Sequence, residues 1–297
     1  MKKILILGAN GFIGKNLKEY LSCFSKDYVL FVPNSQELNL LDEQAVKKYL
    51  ANTYFDVIIN AAVCNPIRGH NIDIQCELEQ DLRMYYNLKR YNNLYGKMLY
   101  FGSGAEYDKS KDISFVTEAE FINNVPLTQY GLAKYIIGKD IEKSSNIYNL
   151  RIFGLFGKYE NWRTTFISGA CCKALKSLPI TIRQNVFFDY MYIDDFCKII
   201  KWFIDNKPKY HTYNVTTGDK IDLFSIANLI NNVVEKTVPV YVCKDGLANE
   251  YTASNKRLLN EIGDIRFTPF KDAVAELMKY YQSILDEIDI YHLLYQN

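Results

Sequence analysis

Tyr130 and Lys134 stand four residues apart in Tyr130-Gly131-Leu132-Ala133-Lys134. One helical turn separates them, so a helix sets both side chains on one face. An ammonium beside a phenol stabilises the phenolate, which lets the phenol give and take a proton near neutral pH. In a chain with 24 tyrosines the same spacing also arises as a plain surface pair, so a third group is needed. Ser103 supplies it. It follows the apolar run Lys97–Phe101 and Gly102, which puts a hydroxyl at the carboxyl end of a strand, the edge where open α/β sheets bind their ligands.

A second constellation is Gly8-Ala9-Asn10-Gly11-Phe12-Ile13-Gly14, between an apolar β-branched run and an amphipathic stretch. There a first glycine permits a tight turn, a second lets a pyrophosphate approach the backbone, and a third lets helix pack on strand. The helix N-terminus then faces the anion. The spacing is G-x-x-G-x-x-G, one residue longer than the commonest dinucleotide fingerprint, and a plain glycine-rich turn is the other reading. We read Gly8, Asn10, Gly11, Phe12, Ile13 and Gly14 as cofactor contacts. An acid at the end of the second strand would bond a ribose 2′-hydroxyl and favour NAD. Val32-Pro33-Asn34-Ser35 has none. Asn34 and Ser35 suit a 2′-phosphate, although no arginine stands beside them, so NADP is expected, with NAD as the alternative.

These groups need a scaffold that gathers strand ends, and the hydrophobic pattern provides one. Strands are predicted at Lys3–Leu7, Tyr28–Val32, Asp56–Asn60, Lys97–Phe101 and Tyr148–Phe153. Helices are predicted between them at Phe12–Phe24, Glu43–Ala51, Ile74–Tyr91 and Tyr130–Lys143. Such alternation means α/β: a Rossmann-type doubly wound parallel sheet. Beyond Gly157 it loosens. Thr165–Leu178, Asp194–Asp205 and a stretch from Asp222 to about Glu235 read as helices, and Ile180–Arg183, Val186–Tyr192, Thr212–Val215 and Val238–Cys243 as short strands. We therefore expect a dinucleotide-binding domain over 1–158, with 188–206 packed on it. A smaller C-terminal α/β substrate lobe takes 159–187 and 207–297.

Composition narrows the class. The 297 residues are 48% hydrophobic and 23% charged, which excludes disorder. Lys+Arg (35) nearly balances Asp+Glu (34), so no nucleic-acid partner is expected. No apolar run reaches the roughly 18–20 residues of a membrane helix. The run Ile4–Leu7 is too short for a secretory signal, and a cytoplasmic protein without membrane contact is expected. The seven cysteines are odd in number and form no C-x-x-C pair, so free thiols are expected. His70, His211 and His292 lie too far apart to suggest a metal site.

As an ordered set, these motifs resemble the extended short-chain dehydrogenase/reductase family from residue 1 to about 260. The set comprises Gly8/Gly11/Gly14, Asn60-Ala61-Ala62, Ser103 before Tyr107, Tyr130/Lys134 and Leu150-Arg151-Ile152-Phe153-Gly154-Leu155-Phe156-Gly157. Phe188-Asp189-Tyr190-Met191-Tyr192-Ile193-Asp194-Asp195 is similar to its R-D-F-x-H-V-D-D segment, and Tyr213-Asn214-Val215 to its Y-N-V strand. The resemblance implies an NAD(P)-dependent epimerase, 4,6-dehydratase or 4-keto reductase acting on a nucleotide-diphosphate sugar. It makes Tyr130 the catalytic acid/base and Lys134 the residue that orients the nicotinamide ribose and tunes Tyr130. Ser103 bonds the reacting oxygen, and Ala61 and Ala62 touch the cofactor. Ser35-Gln36-Glu37-Leu38-Asn39-Leu40-Leu41-Asp42 resembles a stretch of the 4-keto-sugar reductases, adding Leu41 and Asp42, with a helix cap as the other reading of Asp42. By the same resemblance Gly104, Ala105, Asn161, Arg163, Arg183 and Asn185 face the substrate, an arginine suiting its phosphates.

The departures discriminate among members. Dehydratases carry an Asp-Glu pair after the Ser/Thr, where this chain has Gly104 and Ala105, neither able to move a proton. Members that epimerise before reducing place a cysteine where Ala105 stands and a later histidine, absent from Tyr159–Arg163. What survives is the minimum for hydride transfer to a ketone. The expected activity is NADPH-dependent reduction at C4 of a 4-keto-6-deoxy-hexose or 4-keto-heptose, GDP-linked by preference, in surface-polysaccharide sugar synthesis. The alternative is an NAD-dependent nucleotide-sugar 4-epimerase. A redox-sensing regulator that kept the fold would have lost Tyr130 or Lys134. In the family, helices equivalent to 74–91 and 130–143 pair across a two-fold axis, so a homodimer is expected. Its apolar stripe would comprise Leu78, Leu82, Tyr85, Tyr86, Leu132, Tyr135 and Ile136, although Asp81 interrupts it.

Overall fold

The computed structural model describes residues 1–64, 76–123, 125–234 and 237–294. Its central sheet has six parallel strands: β1 (Lys2–Leu7), β2 (Tyr28–Phe31), β3 (Phe55–Asn60), β4 (Tyr95–Ser103), β6 (Ile147–Ile152) and β11 (Thr212–Val215). Their order is β2-β1-β3-β4-β6-β11. A parallel sheet is covered on both faces, which is why Ile4, Leu5, Ile6 and Leu7 run apolar without a break. Their alternation serves two cores. Ile4 and Ile6 join α1 (Phe12–Ser22) and α6 (Ile193–Asp205) on one face. Leu5 and Leu7 join α2 (Glu43–Asn52), α3 (Glu77–Lys89) and α4 (Gln129–Ile141) on the other. The chain leaves β1 for β2 on one side and later returns to β3 on the other. That reversal opens a crevice at the carboxyl ends of β1 and β3, where dinucleotides bind in this architecture.

The second lobe packs α5 (Phe166–Leu175), α7 (Leu223–Asn231) and α9 (Phe270–Ser283) on β8 (Ile180–Asn185). Strand β8 pairs with β13 (Val240–Leu247). Between the lobes, β5 (Ile113–Val116), β14 (Tyr251–Ala253), β9 (Phe187–Phe188) and β12 (Ile221–Asp222) form a four-stranded sheet. A further pair joins β7 (Gly154–Phe156) to β10 (Tyr190–Tyr192).

The partition between lobes is corrected in three places. Thr212–Val215, expected in the substrate lobe, is the outer strand of the central sheet, with all four residues buried against β6. Leu258 of α8 (Lys256–Ile262) follows it into that core. Ile113–Val116, inside the expected 1–158 domain, pairs instead with β14 of the later half. Val186–Tyr192 is not one strand. The buried Asp189 carboxylate accepts from Thr217 N (3.0 Å), Thr217 Oγ1 (2.6 Å) and Gly218 N (2.8 Å), and the flanking residues enter different sheets. Ile74 and His70 lie outside the described residues, as does the expected end of α7 at Glu235. No helix among the described residues is long and apolar enough to cross a membrane. No group of three His, Cys, Asp or Glu there is placed to hold a metal.

Candidate active site

The glycine turn forms as its spacing demands. Gly8 has φ +78°, and a Cβ there would lie 2.8 Å from the Ala61 and Ala62 backbone, so a larger residue would close the crevice between β1 and β3. Gly14 sets helix on strand, its Cβ position lying 2.2 Å from Gly8 O. At Gly11 the space is open: only Gly8 O lies nearby, at 3.4 Å. No side chain caps α1, which leaves its first N–H groups for an anion. The open space and free N–H groups of this cradle suit the pyrophosphate of a dinucleotide, with Asn10 exposed at the rim and Phe12 and Ile13 half-buried. Ala61 N donates to Leu7 O (3.0 Å) and Ala62 N to Asn60 Oδ1 (3.3 Å), fixing the opposite wall.

Helix α4 carries the tyrosine and the lysine. Thr128 caps it by accepting from Gly131 N at 3.1 Å. Gly131 lets the first turn press on the segment after β4, since a Cβ there would be 3.0 Å from Ala105 O. Lys134 is 3% exposed, and its ammonium donates to Tyr100 Oη (2.8 Å) and Phe101 O (3.0 Å) at the end of β4. Its Nζ lies 5.7 Å from the centre of the half-buried Tyr130 ring. Among the described residues two of its three N–H groups thus have partners, and the third suits a ribose hydroxyl. Asp81 on α3 faces this charge. It accepts from Cys64 N (2.7 Å), while its buried Oδ2 has no partner among the described residues. Burial pushes the Asp81 carboxyl upward, and Lys134 draws it partly back.

Ser103 ends β4 and caps a short 3-10 turn, Gly104–Tyr107. Its Oγ accepts from Ala105 N (3.1 Å), and its own N–H donates to Glu106 Oε1 (3.1 Å). This reciprocal capping is a sequence-level signature, Ser103-x-x-Glu106, that went unread. Glu106 is fully buried. It also accepts from Asn149 Nδ2 (3.0 Å) and from Arg151 Nε (2.6 Å), itself fully buried. Tyr251 is the other residue that sequence missed. Its hydroxyl, arriving from β14, lies against Gly104, where a Cβ would be 2.4 Å from it.

Tyr130, Lys134, Ser103, Gly104 and Ala105 therefore gather at the end of β4. Others are engaged elsewhere. Asp42 caps α2, accepting from Gln44 N (2.9 Å) and Ala45 N (3.1 Å), so its expected cofactor contact gives way to its other reading. Leu41, next to it, is half-buried and donates to Asn39 Oδ1 (3.0 Å). Asn34 Oδ1 holds its own turn through Gln36 N (2.8 Å) and Glu37 N (3.1 Å), and Ser35 is exposed. Asn185, expected at the substrate, ties β8 to α7. It donates to Asp222 Oδ1 (2.9 Å) and accepts from Val186 N and Phe224 N (both 3.1 Å). Arg183 is exposed on β8. Asn161 Oδ1 accepts from Arg163 N (3.1 Å), and the Arg163 guanidinium lies 4.8 Å from the Trp162 ring centre.

Residues 4–216 match the NAD dependent epimerase/dehydratase family. The chain belongs to that family and is an NAD(P)-dependent enzyme. Among curated relatives it is 23% identical over 303 residues to GDP-L-colitose synthase of Yersinia pseudotuberculosis, covering 94% of this chain and 97% of that one. It is 25% identical over 297 residues to GDP-6-deoxy-D-talose 4-dehydrogenase of Aggregatibacter actinomycetemcomitans, covering 93% and 97%. The solved structure of a GDP-L-fucose synthetase from Naegleria fowleri superposes with TM-score 0.82 at 16% identity, over 96% of this chain and 94% of that one.

Proposed function

We propose that this enzyme reduces the C4 ketone of a nucleotide-activated 4-keto-6-deoxy-hexose or 4-keto-heptose with NADPH, in the synthesis of surface-polysaccharide sugars. The observation that carries the reading is the chemistry at the end of β4. A hydroxyl, a phenol and an ammonium meet there, while positions 104 and 105 hold glycine and alanine. Glu106, the nearest carboxylate in sequence, is fully buried and engaged by Ser103 N, Asn149 and Arg151. These partners all lie within the protein, and at 0% exposure it does not face the cleft. The cofactor supplies the hydride when bound. Tyr130 gives its proton to the new C4 oxygen, Ser103 donates a hydrogen bond to the same oxygen, and Lys134 holds the ribose and favours the tyrosinate that results. A GDP-sugar is preferred because GDP stands in the names of the relatives above. NADPH is preferred because no acid ends β2, and Glu37 is turned onto Asn34 N (2.8 Å).

The test is a panel of GDP-, dTDP-, UDP- and CDP-4-keto sugars assayed for stoichiometric NADPH consumption. Product formed in D₂O should carry no deuterium at C3 or C5. Deuterium there above the non-enzymatic background, or turnover without added reductant by a protein purified with tightly held NAD, would overturn the reading in favour of epimerisation.

A further inference from the structure

Lys134 reaches the end of β4 from α4, and two successive residues of the strand receive it, the first with its side chain and the second with its carbonyl. The ammonium donates to Tyr100 Oη at 2.8 Å and to Phe101 O at 3.0 Å. Both acceptors are neutral, since burial pushes the Tyr100 phenol well up and keeps its proton on. The Tyr100 ring has little freedom. It lies in the core under α3 and α4 with Tyr85 and Ile137. Tyr85 meets it edge-on at 5.5 Å between centroids, and the Tyr85 hydroxyl is itself held by Asp140 Oδ2 at 2.7 Å. Lys134 Nζ lies 4.5 Å from the centre of the Tyr100 ring and 5.7 Å from that of Tyr130. One ammonium thus serves two phenols, the first 3% exposed in the core and the second half-buried.

We propose that Tyr100 is a positioning residue for the reduction, aiming the Lys134 ammonium so that its third N–H meets the nicotinamide ribose and its charge stays beside Tyr130; this rests on the reading of Lys134 given above. A lysine ammonium carries three equivalent donors on a flexible four-carbon stem, so nothing in the residue itself fixes where the third one points. Two anchors fix it. Phe101 O is main chain and would be present with any side chain there, whereas the Tyr100 oxygen exists only because residue 100 is a tyrosine. Its neutrality matters as much as its place. A carboxylate in that position would hold the ammonium more tightly, but it would also offset the positive charge that a tyrosinate at 130 needs once the C4 oxygen has taken its proton. A buried phenol orients the lysine and leaves that charge available. Tyr100 itself neither gains nor loses a proton in the cycle.

The test is a double-mutant cycle of Tyr100→Phe and Lys134→Met, read as Kd for NADPH and for NADH by nicotinamide fluorescence, as kcat, and as KM for the sugar. The dinucleotide that binds more tightly carries the comparison. Tyr100→Phe keeps the ring and removes one oxygen. Kd for the dinucleotide should rise roughly tenfold and kcat should fall about ten- to a hundredfold, the worth of one hydrogen bond to a charged group. KM for the sugar should not move, because Lys134 does not touch it. In the Lys134→Met background Tyr100→Phe should change none of the three. Unchanged Kd and kcat in the single variant overturn the proposal. So does an equal loss in both backgrounds, because Tyr100 would then act only through the packing of β4, and so does a loss confined to KM for the sugar. The double variant strands no cation in the core, so its comparison with Lys134→Met still decides the matter where Tyr100→Phe folds poorly. Wild-type protein that binds the dinucleotide but turns over no 4-keto sugar fails the reductase reading alone. The dinucleotide affinities need no sugar and then still decide the role of Tyr100.

Discussion

Lys134 keeps an ammonium 3% exposed against a tyrosine oxygen and a backbone carbonyl, neither of which neutralises it. Such a charge persists where it has a counter-charge, and Asp81 stands opposite it, with the Tyr130 ring beside it. Tyr130→Phe keeps that ring and its half-burial and removes only the hydroxyl. We expect kcat to fall by about 10²–10⁴ while NADPH binding, followed by nicotinamide fluorescence, stays intact; near-normal turnover would sink the assignment. These residues were legible because their geometry is local. A Tyr–Lys pair one turn apart and a glycine triplet after a strand carry their spacing in the chain itself. Tyr251 was not. Its place depends on strand pairing across more than a hundred residues, and one tyrosine among 24 bears no spacing signal. Tyr100, the lysine's hydroxyl partner, was hidden inside an apolar strand for a similar reason. Asp42 and Asn185 show the converse. Polar side chains at a segment end are taken first by the nearest unsatisfied backbone N–H, and both are spent that way.

The 3-10 turn after β4 is held by an ion pair that has no access to water. Glu106 and Arg151 are both 0% exposed, at 2.6 Å, and Arg151 lies 3.9 Å over the Phe121 ring. Asn149 and Ser103 N add to the carboxylate, so with Arg151 its charge is shared by three donors. Glu106→Gln keeps the shape and leaves Arg151 a buried, uncompensated cation. Removal of one partner from such a pair costs about 3–5 kcal/mol. Urea unfolding should show a loss of that order at pH 7, and a loss within experimental error would mean that water reaches the pair. At this scale the sequence was readable wherever burial on two faces gave continuous apolar runs, as in β1, β3 and β4. It was misread where short strands of two to four residues belong to a mixed sheet. Ile113–Val116 and Phe187–Phe188 are too short for a period, and only their partners make them strands.

At the scale of the whole molecule, α3 and α4 lie side by side on one face of the central sheet and are joined internally. Tyr85 donates to Asp140 Oδ2 (2.7 Å), Lys89 pairs with the same carboxylate, and Gln129 accepts from Leu78 N at 3.3 Å. This removes Tyr85 from the stripe that would meet a second subunit, since it is fully buried. Tyr135 leaves it too, packed on Phe121 at 4.9 Å. What remains on the outer face is Leu78, Leu132 and Ile136, half-buried and packed into none of the four apolar cores. Leu132 and Ile136 are one turn apart on α4. A two-fold axis beside them would bring them onto their own copies, as isologous contacts require. The expected species at micromolar concentration is therefore a homodimer, with a sedimentation mass about twice 34.5 kDa. Ile136→Glu tests the surface itself. The side chain lies outside every core, so in a monomer the charge is solvated at little cost, within about 0.5 kcal/mol. In a dimer paired through α4 the same charge meets its own copy and must be desolvated. The variant should sediment near 34.5 kDa with its unfolding midpoint independent of protein concentration, where the parent's rises with it. A parent that is already monomeric, or a variant that stays dimeric, would place the interface elsewhere or remove it.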